Sequence, residues 1–495
     1  MVARLDTTER AAAPMPAPSG RIDRLATSPG RAAIALGVVL GGLVAGLSPP
    51  QWSAPFIGGI VLVIVGLIAP LVPVLLLGFA AVVGGAGEIR LGAIGITGTD
   101  GILLIALIAH LGAHSLGKRI PRAPVFLLPV AAFLGFAILS TGWIIAAGPA
   151  VKELARWAEL ALAAYLVASW CRTHRETRGL LLVIFVGALL ESGLGIYQAI
   201  ARIGPPSFAA GALFRAYGTF DQPNPFGGYL GMVLPLAVAV ALLAYDDGAK
   251  ARFPGPRVLR AVAALTVVVG AMAMAMSLSR GAWIGAVAAT LVILVGLGGR
   301  TLPLIGSAGI LALLVAALGA LDVLPPWVTD RFEAVTQNFG IFDVRRIVPN
   351  AENWGIVERM AHWQAAWEMF QDHPWLGVGI GQYVPTYPDY AIPPWNDPLG
   401  HAHNIYLNVL GELGVIGATL YGVMVISWFG IAIAAMRRAA TPFQRATALG
   451  IVAALAATAV HGLFDNLYVA GMNVHIGVLI GIAASDWKRT GRVVD

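Results

Sequence analysis

Six ionisable residues stand next to the ends of hydrophobic segments, where a side chain can meet both water and membrane. They are Arg215, Arg280, Arg359, His403, His461 and Asp465. Arginine suits phosphate because its planar fork donates two parallel hydrogen bonds, and a neutral histidine can take a proton from an attacking hydroxyl. The set favours a site that binds an anion and removes a proton. Two other readings stay open, since arginines also anchor helix ends and an interfacial histidine can simply bond a backbone carbonyl.

Two further features allow more than one interpretation. His401 and His403 could form a metal pair, but no Asp, Glu or Cys cluster accompanies them in the sequence, so we expect no metal. Glu191 falls in the middle of the hydrophobic segment Leu180–Ile200. A carboxylate inside a membrane is a functional hypothesis by default. The alternative is a protonated carboxyl that hydrogen-bonds a neighbouring helix.

The composition decides the class of protein. Of 495 residues, 58% are hydrophobic and 12% are charged, and the mean hydropathy is +0.79. Soluble domains are about 25% charged, so the chain is predicted to be an all-α polytopic membrane protein. The net charge of +6 is spread over short loops and does not indicate nucleic-acid binding. A lone cysteine, Cys171, excludes an intramolecular disulfide and is expected to be buried.

Apolar runs of the length that spans a bilayer predict about 12–14 transmembrane helices. The predicted spans are Ala32–Leu47, Ala54–Ala69, Leu71–Val83, Gly101–Leu116, Val125–Ile145, Leu154–Trp170, Leu180–Ile200, Tyr229–Ala244, Ala261–Leu278, Trp283–Leu297, Leu304–Leu321, Leu413–Ala435, Ala446–Val460 and Val469–Ala484. The region 54–83 either spans twice or is re-entrant. Basic clusters in the short loops place both termini in the cytoplasm and all six ionisable residues on the outer face.

The predicted domain organisation follows from these spans. A disordered cytoplasmic tail (1–31) precedes an N-terminal transmembrane bundle (32–321), an extracytoplasmic loop (322–403), the C-terminal transmembrane helices (404–486) and a cytoplasmic tail (487–495). A loop this long is usually functional. It carries six tryptophans and an amphipathic helix over Val357–Phe370, which either lies on the membrane surface or caps the bundle.

Four short motifs occur in order along the second half of the chain. They are Arg215…Gly218-Thr-Phe…Pro223-Asn224…Phe226; Ser279-Arg280-Gly281 followed by Trp283; Arg359…Trp363…Pro374-x-Leu-Gly-Val-Gly; and His403-Asn404…Leu407…Gly411…Gly414…Gly417. Together with the long loop, they resemble the O-antigen ligase/polymerase superfamily of bacterial cell envelopes. The resemblance covers roughly residues 215–465. Proteins of that superfamily are commonly drawn with about twelve spans, which puts the region 54–83 in question.

The resemblance implies an inverting, metal-independent glycosyltransferase of the GT-C type in the bacterial cytoplasmic membrane, without a cofactor. The donor would be a glycan on undecaprenyl diphosphate, and the acceptor lipid A-core or another glycan. Arg215 and Arg280 would bind the diphosphate, Arg359 would join them or shape the loop, and His403 would activate the acceptor hydroxyl. Asn224, Asn404, His461, Asp465 and Glu191 would support the site. The loop tryptophans would stack on sugars or seat the loop in the lipid headgroups.

Three other functions were weighed. A Wzy-type polysaccharide polymerase shares these motifs, and so does a protein-glycosylating transferase; we favour the ligase. The competing class is a transporter or a flippase for lipid-linked glycans. Such proteins place polar groups near the midplane, often in repeated halves. Here no internal repeat is evident and the polar cluster lies at one surface, which favours the enzyme.

Overall fold

The computed structural model describes residues 50–91, 94–115, 125–210, 213–244, 255–299, 301, 343–350 and 353–485. The predicted first span, the span Leu304–Leu321, the two tails and Trp327 lie outside these ranges. Over the described part the chain is helical apart from two short hairpins, which confirms an all-α polytopic membrane protein.

The first half of the described chain consists of shorter elements. In order they are α1 (Pro50–Ile68), α2 (Leu71–Leu76), a 3-10 turn (Leu77–Phe79), α3 (Ala80–Gly85), the antiparallel hairpin β1–β2 (Glu88–Leu91 and Ile94–Thr97), α4 (Gly98–Ser115), a 3-10 turn (Val125–Leu127), α5 (Leu128–Leu139), a 3-10 turn (Ser140–Trp143), α6 (Ala147–Trp170) and α7 (His174–Ala201). The segment 71–85 is thus a set of short helical pieces between Pro70 and the hairpin. Cys171, directly after α6, is buried and free, as expected.

The second half begins with a 3-10 turn (Pro206–Phe208) and the two-residue strands β3 (Ala209–Ala210) and β4 (Leu213–Phe214). Then follow α8 (Pro223–Leu243), α9 (Pro256–Ser277), α10 (Arg280–Leu297), a 3-10 turn (Val344–Arg346), α11 (Trp354–Asp372), α12 (Tyr383–Tyr390), α13 (Ile405–Arg438), α14 (Pro442–His461) and α15 (Met472–Ala484). Among the described helices, α7, α8, α9, α10, α13 and α14 are each long and apolar enough to cross a membrane.

Two compact units make up the chain. One comprises residues 1–70 and 108–119, of which α1 and the second half of α4 are described. The other comprises residues 71–107 and 120–495 and contains every candidate site residue. Its most buried membrane helix is α8, with 78% of its apolar window inside the protein, whereas α10 buries only 22%. Helix α8 therefore lies at the centre of this unit, and α10 lies at its edge.

Small residues bring the central helices close together. A Cβ added at Gly285 of α10 would lie 2.8 Å from the carbonyl oxygen of Ala457 on α14, and one at Gly450 of α14 would lie 2.8 Å from Cα of Leu236 on α8. Lipid chains are as apolar as leucine, so helix association in a membrane depends on such close packing. These contacts hold α8, α10 and α14 together, and the one between Gly285 and Ala457 lies near the end of the bundle that carries the site.

The amphipathic helix of the long loop is present as α11. Of the apolar residues spaced three and four apart along it, Met360 is buried and Trp363 is half-buried, whereas the indole of Trp367 is 45% exposed. The alanines Ala361, Ala365 and Ala366 are buried as well. A Cβ at Gly411 of α13 would lie 3.0 Å from the carbonyl oxygen of Ala366. The alanine face lets α11 pack directly on α13, so it caps the bundle there.

Helix α13 is broken at Gly414, where φ is 61° and ψ is −166°. The break is paired with the Pro/Gly-rich segment that follows α11: Val415 N–H donates to the Pro374 carbonyl, and Gly379 N–H donates to that of Glu412. A Cβ at Gly414 would lie 2.4 Å from the backbone of Trp375. Positive φ and this close backbone approach both require glycine. The glycines from 411 to 417 therefore serve a backbone-to-backbone junction.

Candidate active site

Arg215 is held by the ends of two helices. Its Nε donates to the carbonyl of Ser277 at the end of α9 (2.8 Å), and its Nη2 donates to Asn224 Oδ1 at the start of α8 (2.9 Å). The backbone N–H of the next residue, Ala216, donates to the carbonyl of Met276. Among the contacts described, none occupies Nη1. The guanidinium is therefore fixed in direction and keeps donors for a ligand.

Arg280 and Arg359 approach the same place from other elements. Arg280 is the first residue of α10 and follows the N-cap Ser279, whose hydroxyl accepts the N–H of Ala282. Burial lowers the pKa of Arg215, and the positive charges of Arg359 and Arg280 lower it further. The three guanidinium groups are thus near enough to repel one another. Within the described ranges none has a carboxylate within salt-bridge distance, which leaves a concentrated positive charge suited to an anion.

His461, the last residue of α14, lies between two glycines. A Cβ at Gly281 of α10 would come within 2.6 Å of His461 Cδ2, and a Cβ at Gly228 of α8 would come within 3.2 Å of Cε1. Its imidazole therefore fills the space between α8 and α10, next to Arg280. The next corner of the chain is joined to α13 by a hydrogen bond from Ile405 N–H to the carbonyl of Gly462 (3.0 Å).

His403 and Asn404 form the start of α13. His403 has a left-handed backbone (φ 51°), a strained conformation for a non-glycine residue that often marks functional sites. The Asn404 side chain caps the helix by accepting the N–H groups of Tyr406 (3.0 Å) and Leu407 (3.1 Å). The Trp363 indole donates to the carbonyl of His403 (3.3 Å). These contacts fix the backbone of His403 and Asn404 at the start of the helix.

Asp465 faces both histidines of the His401-x-His403 pair. Its Oδ1 lies 3.5 Å from His401 Nε2 and 3.6 Å from His403 Nδ1, and it also accepts the N–H of Asn466 (2.9 Å). The 3.6 Å approach is longer than a formed hydrogen bond, and within the described residues Nδ1 of His403 has no other partner. Burial favours a raised pKa for Asp465, but the three nearby imidazoles outweigh it and lower the pKa. The carboxylate is therefore ionised beside His403.

The hydrogen bonds of His401 bear on metal binding. His401 Nδ1 accepts the backbone N–H of His403 (3.0 Å), so in the neutral ring the proton sits on Nε2, which faces Asp465. His401, His403 and Asp465 place their ligand atoms within 4.8 Å of one another. A metal on Nε2 of His401 would require an imidazole stripped of both protons. Burial lowers the pKa of His401 to about 4 despite Asp465. The donor set thus fits a neutral, proton-donating His401 better than a metal ligand.

His362 belongs to the site although the sequence analysis did not identify it. It is fully buried on α11, its Nδ1 lies 2.9 Å from Tyr383 Oη, and its ring stacks on Tyr387 and meets the His403 ring at 5.6 Å. Burial, followed by His403 and His401, lowers its pKa to about 3. His362 is therefore neutral, and its ring packs against that of His403. Its spacing of three residues from Arg359, on one helix face, is the signal that could have identified it.

Glu191 is connected to Arg215 through Thr219, which lies in the same loop as Arg215. Its carboxyl oxygens contact the backbone N–H (3.0 Å) and the hydroxyl (2.9 Å) of Thr219, whose hydroxyl also reaches the carbonyl of Val82 (3.0 Å). One hydroxyl proton cannot serve both oxygens, so both contacts are satisfied together when Glu191 carries the proton and donates it to Thr219. This partner lies in the loop that holds Arg215 and not on a neighbouring helix. The functional interpretation of Glu191 stays a prediction.

A second buried carboxyl, Glu412, lies at the break in α13. Unlike Glu191, it was not identified from the sequence. It is buried, and it accepts the N–H groups of Gly381 (3.0 Å) and Tyr383 (2.9 Å). Gln382, between them, bonds the backbone of Ile145 and Ala146 at the start of α6. These contacts attach the segment that precedes His403 to the helix bundle. No local pattern in the sequence reveals the contacts of Gln382, because its partners at positions 145 and 146 are more than two hundred residues away.

A comparison with known protein families covers part of this site. Residues 264–422 match the family model described as O-antigen ligase. The match begins within α9, continues through Arg280, Arg359 and His403, and ends within α13. No curated protein matches the chain. The resemblance to the O-antigen ligase superfamily is thereby confirmed, and with it a ligase- or polymerase-type function in broad terms.

Proposed function

From the match to the O-antigen ligase family, we propose that the chain transfers a glycan from undecaprenyl diphosphate to an acceptor hydroxyl. The observation that carries the proposal is the meeting of two unlike groups at one end of the bundle. Three arginines without described carboxylate partners stand on one side, and a histidine beside an ionised aspartate stands on the other. A lipid-linked diphosphate needs the first group, and a sugar hydroxyl that becomes a nucleophile needs the second.

His403 is the proposed base. With its Nδ1 proton directed at Asp465, the Nε2 lone pair is free to accept the proton of the acceptor hydroxyl. The hydroxyl oxygen forms a bond to the anomeric carbon from the face opposite the diphosphate, and the bond from that carbon to the diphosphate oxygen breaks. The configuration inverts. Asp465 stabilises the imidazolium that forms, as an aspartate does in an acid–base triad.

The arginines supply the other half of the reaction. Negative charge builds on the diphosphate as it leaves, and fixed donors aimed at developing charge need no reorganisation during the reaction. Arg215 is held by Ser277 and Asn224, and Arg280 by the start of α10. Arg359 lies on α11, three residues from His362, whose ring meets that of His403. It therefore connects the anion-binding arginines to His403, the proposed base. This set of charges can do without a metal ion.

The proposed setting is the outer face of the bacterial cytoplasmic membrane. The donor enters laterally from the outer leaflet, and the acceptor is lipid A-core or another glycan. We favour the ligase over the polymerase, as the sequence analysis did. The charged and titratable groups lie at helix ends and corners, as a transferase at the membrane surface requires.

The test uses the purified chain in lipid vesicles with undecaprenyl-diphosphate-linked glycan and either lipid A-core or a second lipid-linked glycan. Transfer to lipid A-core indicates a ligase, and growth of the lipid-linked chain indicates a polymerase. Arg280→Ala should abolish transfer while the variant still folds, and transfer should survive EDTA. Full transfer by Arg280→Ala, or loss in EDTA that Mg²⁺ restores, would refute the corresponding part of the proposal.

A further inference from the structure

The segment of residues 343–403, the cap segment, contains two kinds of exposed tryptophan. Trp367 (45% exposed) and Trp375 (68% exposed) lie towards the break in α13. Ile416 N–H donates to the carbonyl of Trp375, and Ile416 itself is 40% exposed on an apolar membrane helix. An exposed apolar surface that continues into a membrane helix lies in the interface between the membrane and water, where tryptophan is enriched. These two tryptophans therefore need no soluble ligand.

Trp354 has different surroundings. It is 48% exposed at the first turn of α11, and its N–H donates to the carbonyl of the exposed Asn350 (2.9 Å). The side chains of Asn350 and Asn353 accept each other's backbone N–H groups in this exposed polar turn. Such a surface faces water. A half-exposed indole there leaves a large apolar surface in contact with water.

The indole of Trp354 is also held rigidly. Its ring meets that of Trp395 at 4.3 Å and 63°, and Trp395 is 5% exposed in a small core with Val357, Met360 and Ile392. The carbonyl of Trp395 accepts the Tyr387 hydroxyl (2.8 Å). A rigid aromatic anchor loses little conformational entropy when it binds a ligand.

Polar groups surround this platform on the sides that lead to the site. Asn353 precedes Trp354, and the exposed Asn396 and Asp397 follow Trp395. The chain then reaches His403 within eight residues of Trp395. Along α11, Trp354 precedes His362 by eight residues, or about 12 Å at 1.5 Å per residue. A chain of linked sugars that starts at His403 can extend over this distance.

We propose that Trp354, braced by Trp395, is a stacking platform for a pyranose ring of the glycan, at a subsite beyond the reacting bond. This rests on the proposed function. A pyranose presents an apolar C–H face to the indole and hydroxyls at its edge to Asn396 and Asp397. The ring could belong to the donor glycan or to the acceptor. The chemistry is the same for both, and the experiment separates them.

The variants are Trp354→Ala, Trp354→Phe and, as the matched control, Trp367→Ala, each in the full chain in vesicles. Transfer is measured with donors that carry one or several repeating units at fixed acceptor, and then with a short or extended acceptor at fixed donor. Trp354→Ala should raise KM roughly tenfold for the extended form of one substrate, because about 60 Å² of covered apolar surface is lost. KM for the short form and kcat should stay the same, and Trp354→Phe should recover most of the loss. The substrate whose length matters is the one that occupies the subsite.

A rise in KM for Trp354→Ala that is the same for the short and long forms, or no rise at all, would overturn the proposal, and so would the same length-dependent rise in Trp367→Ala. Saturation-transfer NMR with the glycan freed from its lipid gives a readout independent of turnover. If the unaltered chain transfers nothing but binds this glycan, and Trp354→Ala abolishes the binding, the subsite stands and the proposed function fails. If the unaltered chain transfers glycan but the variant's NMR signal is unchanged, the subsite fails alone.

Discussion

Replacing Asp465 with asparagine removes one charge from beside His403 and keeps the shape of the side chain. The carboxylate lies 3.6 Å from His403 Nδ1. Two unit charges about 4 Å apart interact with about 4 kcal/mol at an effective dielectric constant of about 20. An imidazolium that forms during the reaction loses this stabilisation, and the asparagine amide can also donate to Nδ1 and leave the proton on Nε2. We therefore expect kcat to fall by about 10²–10³, since each 1.36 kcal/mol is tenfold.

The assay is transfer from a lipid-linked donor under saturating conditions. Asp372→Asn is the control: Asp372 lies in the cap segment, where it accepts the Tyr390 hydroxyl (2.9 Å), and the variant should transfer normally. An Asp465→Asn variant that keeps a normal kcat would refute the role of Asp465.

Substitutions at Glu191, Gly281 and His362 test the surroundings of the site. Glu191→Gln should keep the bonds to Thr219 and leave thermal stability in detergent nearly unchanged, whereas Glu191→Leu should destabilise by about 1–3 kcal/mol because it strands the buried N–H of Thr219; equal melting temperatures would contradict this. Gly281→Ala should lower transfer, since its Cβ would fall 2.6 Å from His461, while Gly231→Ala, with nothing within 4 Å, should not. His362 has a pKa of about 3 when folded and about 6.5 when unfolded, so its protonation lowers stability as the pH falls below about 6.5. His362→Phe should therefore lose about 2 kcal/mol less than the unaltered chain between pH 7 and pH 5, as measured by thermal unfolding; the same loss in both would show that His362 does not titrate this way.

The sequence predicted the elements of the site well because hydropathy locates helix ends. Arg215, Arg280, His403, His461 and Asp465 all border apolar runs, and helices of similar length bring their ends to the same level. The structure joins these residues through contacts such as that of His461 with Gly281. Their chemical roles stay predictions.

The sequence could not predict the parts that depend on long-range docking. His362 looked like an ordinary helix residue because its partners, Tyr383 and His403, approach only after the cap segment folds back. The break at Gly414 was hidden within an apolar run, since its cause is the backbone of Trp375 from outside the helix. The contact of α11 with α13 is likewise not visible in the sequence, because it is made by the backbone of Ala366 against Gly411 and not by a large apolar side chain.

The distribution of charge in the site has a physical logic of its own. Three guanidinium groups that repel one another raise the free energy of the empty site, and an anionic ligand removes that cost when it binds. A carboxylate placed among them would neutralise the attraction in advance. In the described part of the chain, Asp465 instead faces histidines, where its charge favours a protonated imidazole without reducing the affinity for a diphosphate. Because Asp465 lies beside the histidines and not among the three arginines, the same site can bind an anion and accept a proton. These are the two demands of glycan transfer from a diphosphate lipid.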